Sequence, residues 1–169
     1  MAAMPNAVAA VMTRVKGCSD VIGLITSTDG YKTTAVPPAK GTPRIATFLQ
    51  DHWLLPSHCM LLRRSGGPLL EADRDTRIRN TRIDFWHYGP GKNDAAQEEA
   101  AYTLWRTVHP HFAELGSGGT WNSETYVAND CRIYGVYSET DPITFLDQDT
   151  GWRVIIAPYI VVWSEVGVP

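Results

Sequence analysis

The chain has 169 residues, with 44% apolar and 20% charged side chains and a formal net charge of -3. This length is sufficient for one globular domain that buries a hydrophobic core without disulfides or metal, so we expect a single domain over residues 1–169. The slightly acidic balance argues against the basic surface with which proteins grip nucleic-acid phosphates.

The first predicted element is a helix from about residue 5 to residue 17. Four apolar residues recur at the spacing of one helix face: Val8, Val11, Met12 and Val15. Pro5 suits a first helical turn, and Gly17 suits the end of a helix. Residues 20–25 predict a further short turn.

A long segment rich in Thr, Gly, Pro and Lys follows, from Thr26 to about Ser57. Within it, only residues 44–49 have the pattern of a strand. Connections of this length in a compact domain are usually functional or disordered. We therefore expect this arm to be a contact element.

Two strands are predicted next. The first is a short apolar strand over residues 58–64, and the second runs from about Thr76 to Tyr88. In the second, Ile83 and Phe85 alternate with polar and aromatic neighbours, which is the period of two typical of a sheet. Gly89-Pro-Gly91 predicts its end.

A helix is predicted from Asp94 to about residue 108. Asp94 and Gln97 have the spacing of a capping box, with Asp94 as the N-cap. Pro110 is expected to end or kink this helix.

The C-terminal part predicts a strand over residues 127–137, a turn at Asp141-Pro142, a second turn at 147–152 and a strand from Arg153 to Trp163. Asp and Gly supply the chemistry of the second turn, and the β-branched and aromatic strand after it should be buried. The whole order predicts an α+β fold. We expect one mostly antiparallel β-sheet packed by two main helices, with a long arm in the N-terminal half.

Three segments give the chain a resemblance to a known family. They are the N-terminal helix, the strand Arg82 to Trp86 that leads through Gly89-Pro-Gly91 into the helix Asp94 to Val108, and the turn 147–152 with the strand Arg153 to Trp163. With these segments the chain resembles the tail terminator proteins of long-tailed bacteriophages, also called tail completion or tail-to-head joining proteins.

The resemblance implies a structural protein of the virion, not an enzyme, that acts without cofactor or metal. Such proteins form a homohexameric ring that caps the tail tube, stops tube polymerisation and offers a docking surface to the head-completion protein. DNA passes through the ring without specific binding, and no membrane is involved. The implied location is the tail–neck region of the virion, after assembly in the host cytoplasm.

Six residues are candidates for the contacts between copies. Four aromatic residues are predicted outside the core faces and are possible anchors, since Trp and Tyr are enriched at interface centres: Tyr31, Trp53, Trp121 and Tyr126. Local loop packing is the alternative for each. Arg77 and Arg79 share one strand face and could form ion pairs between copies, the alternative being a solvated sheet face.

Chemical sites are weakly indicated. His109-Pro-His111 lacks further ligands for a metal, and His87 and Asp84 should point to opposite faces of their strand. Three widely spaced cysteines without a CxxC pair predict neither disulfides nor a zinc site, and we expect a reducing compartment. No export signal or membrane-length apolar run is present in the sequence, so we expect a soluble protein.

Two other functional classes stay open. The chain could be another ring component of the neck or tail, either a head-completion adaptor or a tube subunit. It could also be a small hydrolase that uses His87, His109 or His111, although no nucleophile and base can be placed together from the sequence.

Overall fold

The computed structural model describes residues 6–26, 42–50, 53, 57–65, 78–112 and 126–166. These residues form three helices: α1 (Ala7–Val15), α2 (Ser19–Ile25) and α3 (Asp94–Phe112). They also form seven strands: β1 (Ile45–Ala46), β2 (Cys59–Arg64), β3 (Arg79–Tyr88), β4 (Tyr126–Ala128), β5 (Cys131–Ser138), β6 (Ile143–Leu146) and β7 (Arg153–Glu165). The expected α+β class is confirmed.

The strands form one sheet in the order β1-β2-β3-β7-β5-β4, and β6 also pairs with β7. The central pair is β3 and β7, which are antiparallel from Arg79 opposite Trp163 to His87 opposite Ile155. The short β1 is parallel to β2, and the other neighbours are antiparallel. The prediction of a mostly antiparallel sheet is therefore confirmed.

β5 and β6 follow one another along the same side of β7. β5 pairs with the C-terminal half of β7 and β6 with its first four residues. Between them lies Pro158, whose carbonyl accepts the backbone N–H of Glu139 at 3.0 Å. Because proline has no N–H to offer on that side, the ladder breaks there. β6, which was not predicted from the sequence, begins only after this break.

One face of the sheet, here called the helix face, is covered by the three helices. Its core includes Val11 and Val15 from α1, Leu104 and Val108 from α3, and Phe85 from β3. Ile83 and Phe85 point to this face while Trp86 packs on the opposite one, as the alternation predicted.

The other face, here called the second face, carries a smaller cluster of buried side chains. Its members come from β2, β3, β7 and one isolated residue: Trp53, Cys59, Leu61, Tyr88, Val154 and Ile156. The long strand β7 thus contributes to both clusters, which explains its nearly continuous apolar sequence.

Arg44 is a buried cation beside this sheet. Its Nε donates to the carbonyl of His58 at 2.9 Å and its Nη2 to the carbonyl of Leu24 at 3.5 Å. Arg44 therefore ties the end of α2 to the start of β2, where the sequence predicted only the start of a strand. The strand itself is limited to Ile45–Ala46.

The helix boundaries differ from the predicted ones at their caps. Asn6 caps α1, since its side chain accepts the N–H of Ala9 at 3.1 Å. In α3 the cap is Asn93, whose Oδ1 accepts the N–H of Ala96 at 2.9 Å. The predicted N-cap at Asp94 is therefore wrong by one residue, because the side chain of Asn93 takes the position of the cap and accepts one of the orphan donors of the first turn.

Gln97, the other half of that predicted box, has a different role. It is buried, its Nε2 donates to the carbonyl of Gly91 at 3.4 Å, and its Oε1 accepts the N–H of Arg153 at 3.1 Å. Gln97 therefore fixes the start of α3 to the start of β7.

α3 also continues past its predicted end near residue 108. Pro110 lies inside the helix, within its last turn. Its missing N–H and its ring therefore disturb backbone hydrogen bonds only at the C-terminal end of the helix. Phe112, the last residue, packs edge-on against Phe85 at 5.1 Å between ring centres. The core contact holds the final turn in place.

The strand predicted over 127–137 is a hairpin of β4 and β5. The turn residues Asn129 and Asp130 have φ of 50° and 58°. Two consecutive positive φ values are typical of the type I′ turn, which Asn and Asp tolerate. The consecutive Asn129 and Asp130 were the feature of the sequence that could have predicted this turn.

The turn at 147–152 is confirmed. Gly151 has φ of 71°, and its N–H donates to the carbonyl of Asp147 at 2.7 Å. The buried Asp147 carboxylate accepts from the N–H of Asp149 and from the hydroxyls of Thr150 and Tyr88, the last two at 2.8 Å each. The turn is thereby fastened to the end of β3.

Tyr88→Phe tests this link. The variant removes the hydroxyl that donates to the Asp147 carboxylate, and hydrogen bonds to charged groups contribute about 1.5 to 3 kcal/mol. We expect the free energy of unfolding in urea to fall by that amount. Tyr102→Phe, on the outer side of α3, is the control and should change it by less than about 0.5 kcal/mol.

Candidate assembly surfaces

Two of the six candidate residues lie in one row across the helix face. Arg79 is paired with Trp163, Trp163 with Ile133, and Ile133 with Tyr126. The row spans β3, β7, β5 and β4 at one end of the sheet. Sequence spacing gave no indication that Arg79 and Tyr126 belong to the same row.

Each of these two residues already has a partner in its own chain. Arg79 forms an ion pair with Glu165 at 2.9 Å, and its guanidinium lies 5.4 Å from the centre of the Trp163 ring. The guanidinium of Arg14 lies 4.9 Å from the centre of the half-buried Tyr126 ring. The side chain of Arg79 is more than half exposed and remains accessible at the surface.

Trp53 corrects the sequence analysis. Its side chain is only 4% exposed and belongs to the buried cluster of the second face. The expectation that it lies outside the core is therefore wrong, and the alternative of local packing describes it. The remaining candidates, Tyr31, Arg77 and Trp121, lie outside the described residues.

Arg82, a neighbour of Arg79 on β3, forms ion pairs with Asp84 at 3.4 Å and with Glu139 at 3.0 Å. The second of these joins β3 to the segment after β5. Both pairs lie within one chain.

The three histidines considered for chemistry have different hydrogen-bond partners, although His109 lies near enough to His87 for its charge to lower the pKa of His87. His111 meets the carboxylate of Asp20 at 2.9 Å, and His109 Nδ1 lies 2.8 Å from the hydroxyl of Tyr159. His87 is completely buried and its Nδ1 donates to the carbonyl of Ile155 at 3.0 Å. Within the described ranges, no group of three or more His, Cys, Asp or Glu side chains is placed to hold a metal ion.

All three cysteines are free thiols. Cys59 and Cys131 are buried, and Cys18 is half-buried. Burial raises the pKa of each thiol, that of Cys59 to about 12. These thiols stay protonated and pack as small apolar side chains, as expected.

An open cleft of about 650 Å³ lies beside the start of α1. It is lined by Asn6, Val8, Leu62, Arg64 and Trp163, among others. None of the three histidines lines it, so the cleft does not bring together the groups that the hydrolase alternative requires.

Three apolar side chains of β6 are exposed, which the sequence did not predict. Ile143 is 55% exposed, Phe145 40% and Leu146 36%. Phe145 packs edge-on against Trp86 at 5.8 Å between ring centres, so it lies on the second face. A β-branched and aromatic run between Pro142 and Asp147 was the available signal, but it is only four residues long.

No protein-family model, no curated protein and no solved structure matches this chain. Among the helices in the described part of the chain, none has the length and apolar character needed to cross a membrane.

Proposed function

We propose that this chain is a tail terminator of a long-tailed bacteriophage. In this proposal, copies of the chain form a closed ring on the finished tail tube, stop its growth and present a surface to the head-completion protein. The chain acts through its surfaces, and DNA passes through the ring.

The observation that carries the proposal is the position of the segments that resemble the family. The strand through Arg82 to Trp86 is part of β3, and the strand from Arg153 is β7; these two form the central pair of the sheet. Gly89-Pro-Gly91 leads directly into α3, which packs on the same sheet with α1. The resembling segments therefore form one contiguous framework instead of separate local matches.

Exposed apolar side chains on strands give further support. Large apolar side chains exposed next to one another often mark surfaces that a partner covers. Phe145 and its neighbours in β6 have this character. Closed rings need contacts in which two different surfaces of one chain meet. Arg79 and Tyr126 lie at the end of the sheet away from β6, so a contact between copies at that end leaves β6 open to a partner other than a second copy.

Native mass spectrometry of the purified chain, with and without the tail-tube protein of the same virus, tests the proposal. We expect a single closed oligomer, with six copies by resemblance, when the tube protein is present. An open series of growing oligomers formed by the chain alone would favour the tube-subunit alternative. A chain that stays monomeric with the tube protein present would contradict the proposal.

Arg79→Ala tests whether the row at this end of the sheet contributes to the ring. The matched control is Arg106→Ala, because Arg106 also pairs with an acid, Glu99 at 3.6 Å, and lies 5.5 Å from the Tyr102 ring centre. Exposed pairs contribute about 0 to 1 kcal/mol, so both variants should fold. We expect only Arg79→Ala to lower the ring fraction. Equal ring fractions in both variants would remove Arg79 from the interface.

A further inference from the structure

The outer edge of β6 has backbone groups directed away from the sheet. Within the described part of the chain, β6 pairs only with β7. The N–H of Asp147 donates to the carbonyl of Trp152, so this pair is a hydrogen-bonded one. Hydrogen-bonded pairs alternate along an antiparallel ladder. Thr144 and Leu146 therefore direct their N–H and C=O groups outward.

Apart from its short length of four residues, this edge lacks the features that usually protect an exposed strand. Natural edge strands carry charges, proline or a bulge that oppose pairing with another chain. β6 has the sequence Ile-Thr-Phe-Leu, is paired in regular register, and exposes more than a third of each of its three apolar side chains. Among the described residues, the outward backbone groups of this edge have one contact, the 3.5 Å hydrogen bond from Nε2 of the exposed Gln148 to the carbonyl of Leu146. An apolar and regular edge of this kind is suited to accept another strand.

Carboxylates surround the edge. The side chain of Glu98 in α3 accepts the hydroxyl of Thr144 at 3.1 Å, which places its charge beside β6. Asp141 precedes the strand and Asp149 follows it. Among the ion pairs of the described residues, none includes Glu98, Asp141 or Asp149. Arg153, which lies opposite Leu146 in the ladder, forms its ion pair with Asp94 instead, at 3.4 Å.

The same charges disfavour a second copy of β6 as the partner. Antiparallel pairing about a two-fold axis can place Ile143 opposite Phe145 of the other copy, which keeps their common face. That register also brings Asp141 opposite the other copy's Asp147, and the acidic flanks then repel one another.

We infer that the edge of β6 accepts an extended strand from a different polypeptide, with apolar residues at alternate positions and Lys or Arg at its ends. The backbone of Thr144 and Leu146 would pair with the incoming strand. Its apolar side chains would pack beside Ile143 and Phe145, and its basic ends would meet Glu98, Asp141 and Asp149. This inference does not depend on the ring, because it concerns one chain and one strand.

The probe is an acetylated and amidated peptide, Lys-Lys-Val-Thr-Val-Thr-Lys-Lys, titrated into the ¹⁵N-labelled full chain. We expect NMR shifts centred on the amides of Thr144 and Leu146. A peptide with Glu in place of Lys should bind at least about tenfold more weakly, because like charges then face one another. In an antiparallel pairing with the valines opposite Ile143 and Phe145, the threonines occupy the alternate positions, whose N–H groups face β6. A Lys-flanked peptide with N-methylated threonines, which lacks these donors, should therefore not bind.

Phe145→Lys should abolish the shifts, and Ile143→Lys is the second variant if the first does not fold. Phe48→Lys is the control, since Phe48 is 63% exposed and lies in a bend outside the strands. Equal binding of Lys and Glu peptides, or no shifts at β6, would overturn the inference. The inference would also be overturned if the chain alone formed dimers and Phe145→Lys made it monomeric, because the partner of β6 would then be a second copy. Because no ring is needed, these outcomes are distinct from failure of the proposed function.

Discussion

Gly89→Ala should destabilise the fold by about 1 to 3 kcal/mol or more. Gly89 follows β3 directly and passes against α3 at very close range. A Cβ atom at this position would lie 2.5 Å from the carbonyl carbon and the Cβ of Ala100 and from the N of Ala101. These are largely backbone atoms of a packed helix, which cannot turn aside as a flexible side chain would. The added methyl therefore forces α3 away from the sheet, and overpacking of this kind costs about 1 to 3 kcal/mol or more.

Gly23→Ala is the matched control for this substitution. Gly23 lies within α2, and a Cβ atom there would meet nothing within 4 Å. Alanine is favoured over glycine in a helix by about 0.5 to 1 kcal/mol, so this variant should be slightly more stable than the wild type. Urea unfolding of both variants measures the difference. A loss below about 1 kcal/mol for Gly89→Ala would show that α3 does not approach Gly89 so closely.

The close approach explains a segment that the sequence analysis interpreted only as a strand end. Gly89-Pro-Gly91 was expected to terminate β3, and it does. Gly91 is equally constrained, since a Cβ there would lie 2.4 Å from the N of Gln97. Glycine is needed at these positions for the close packing of a helix, which no local sequence pattern reveals.

The parts of the fold that could be predicted are those with strong periodicity. β3 and β7 are long, and one alternates while the other is continuously apolar, so both were found and form the centre of the sheet. β6, with four residues, was missed, and β4, with three, was merged with β5, because both strands are short. In addition, the break between β5 and β6 depends on Pro158 in a different strand.

The candidate surfaces were less predictable for the same reason. Trp53 was expected outside the core because its sequence neighbours have no strand or helix pattern. Its burial comes from β2, β3 and β7, which are brought beside it only by the fold. Conversely, Phe145 and Ile143 are exposed because β6 pairs at the margin of the sheet, and their apolar character alone would have placed them in a core. Exposure of such residues is a tertiary property.

His87 gives the second large prediction, a loss of stability in acid. Its Nδ1 donates to the carbonyl of Ile155, while Nε2 is buried without a hydrogen-bond partner among the described residues. The pKa of His87 is lowered to about 4, chiefly by burial and to a lesser extent by the charge of nearby His109, while the hydrogen bond to the Ile155 carbonyl opposes the shift. The neutral imidazole is therefore the form that fits the fold.

The direction of the pH dependence follows from the unfolded chain, where a histidine has a pKa of about 6.5. Between about pH 6.5 and pH 4, the unfolded chain binds a proton at residue 87 that the folded chain does not. The folded state therefore loses stability as the pH falls through this window, by about 3 kcal/mol at pH 4 from this residue. Burial also lowers the pKa of His58, which adds a loss of the same sign.

His87→Asn separates the two contributions, because its amide can still donate to the carbonyl of Ile155 and does not titrate. The variant should be less stable than the wild type at pH 7, since the smaller side chain leaves a cavity. Its further loss between pH 7 and pH 4 should be smaller than that of the wild type by about 3 kcal/mol, while the loss due to His58 remains in both. Urea unfolding at pH 7, 6, 5 and 4 measures this difference. His111→Asn, which removes a histidine near the surface, should keep the wild-type loss to within about 1 kcal/mol. Parallel curves for the wild type and His87→Asn would contradict a buried neutral imidazole at this position.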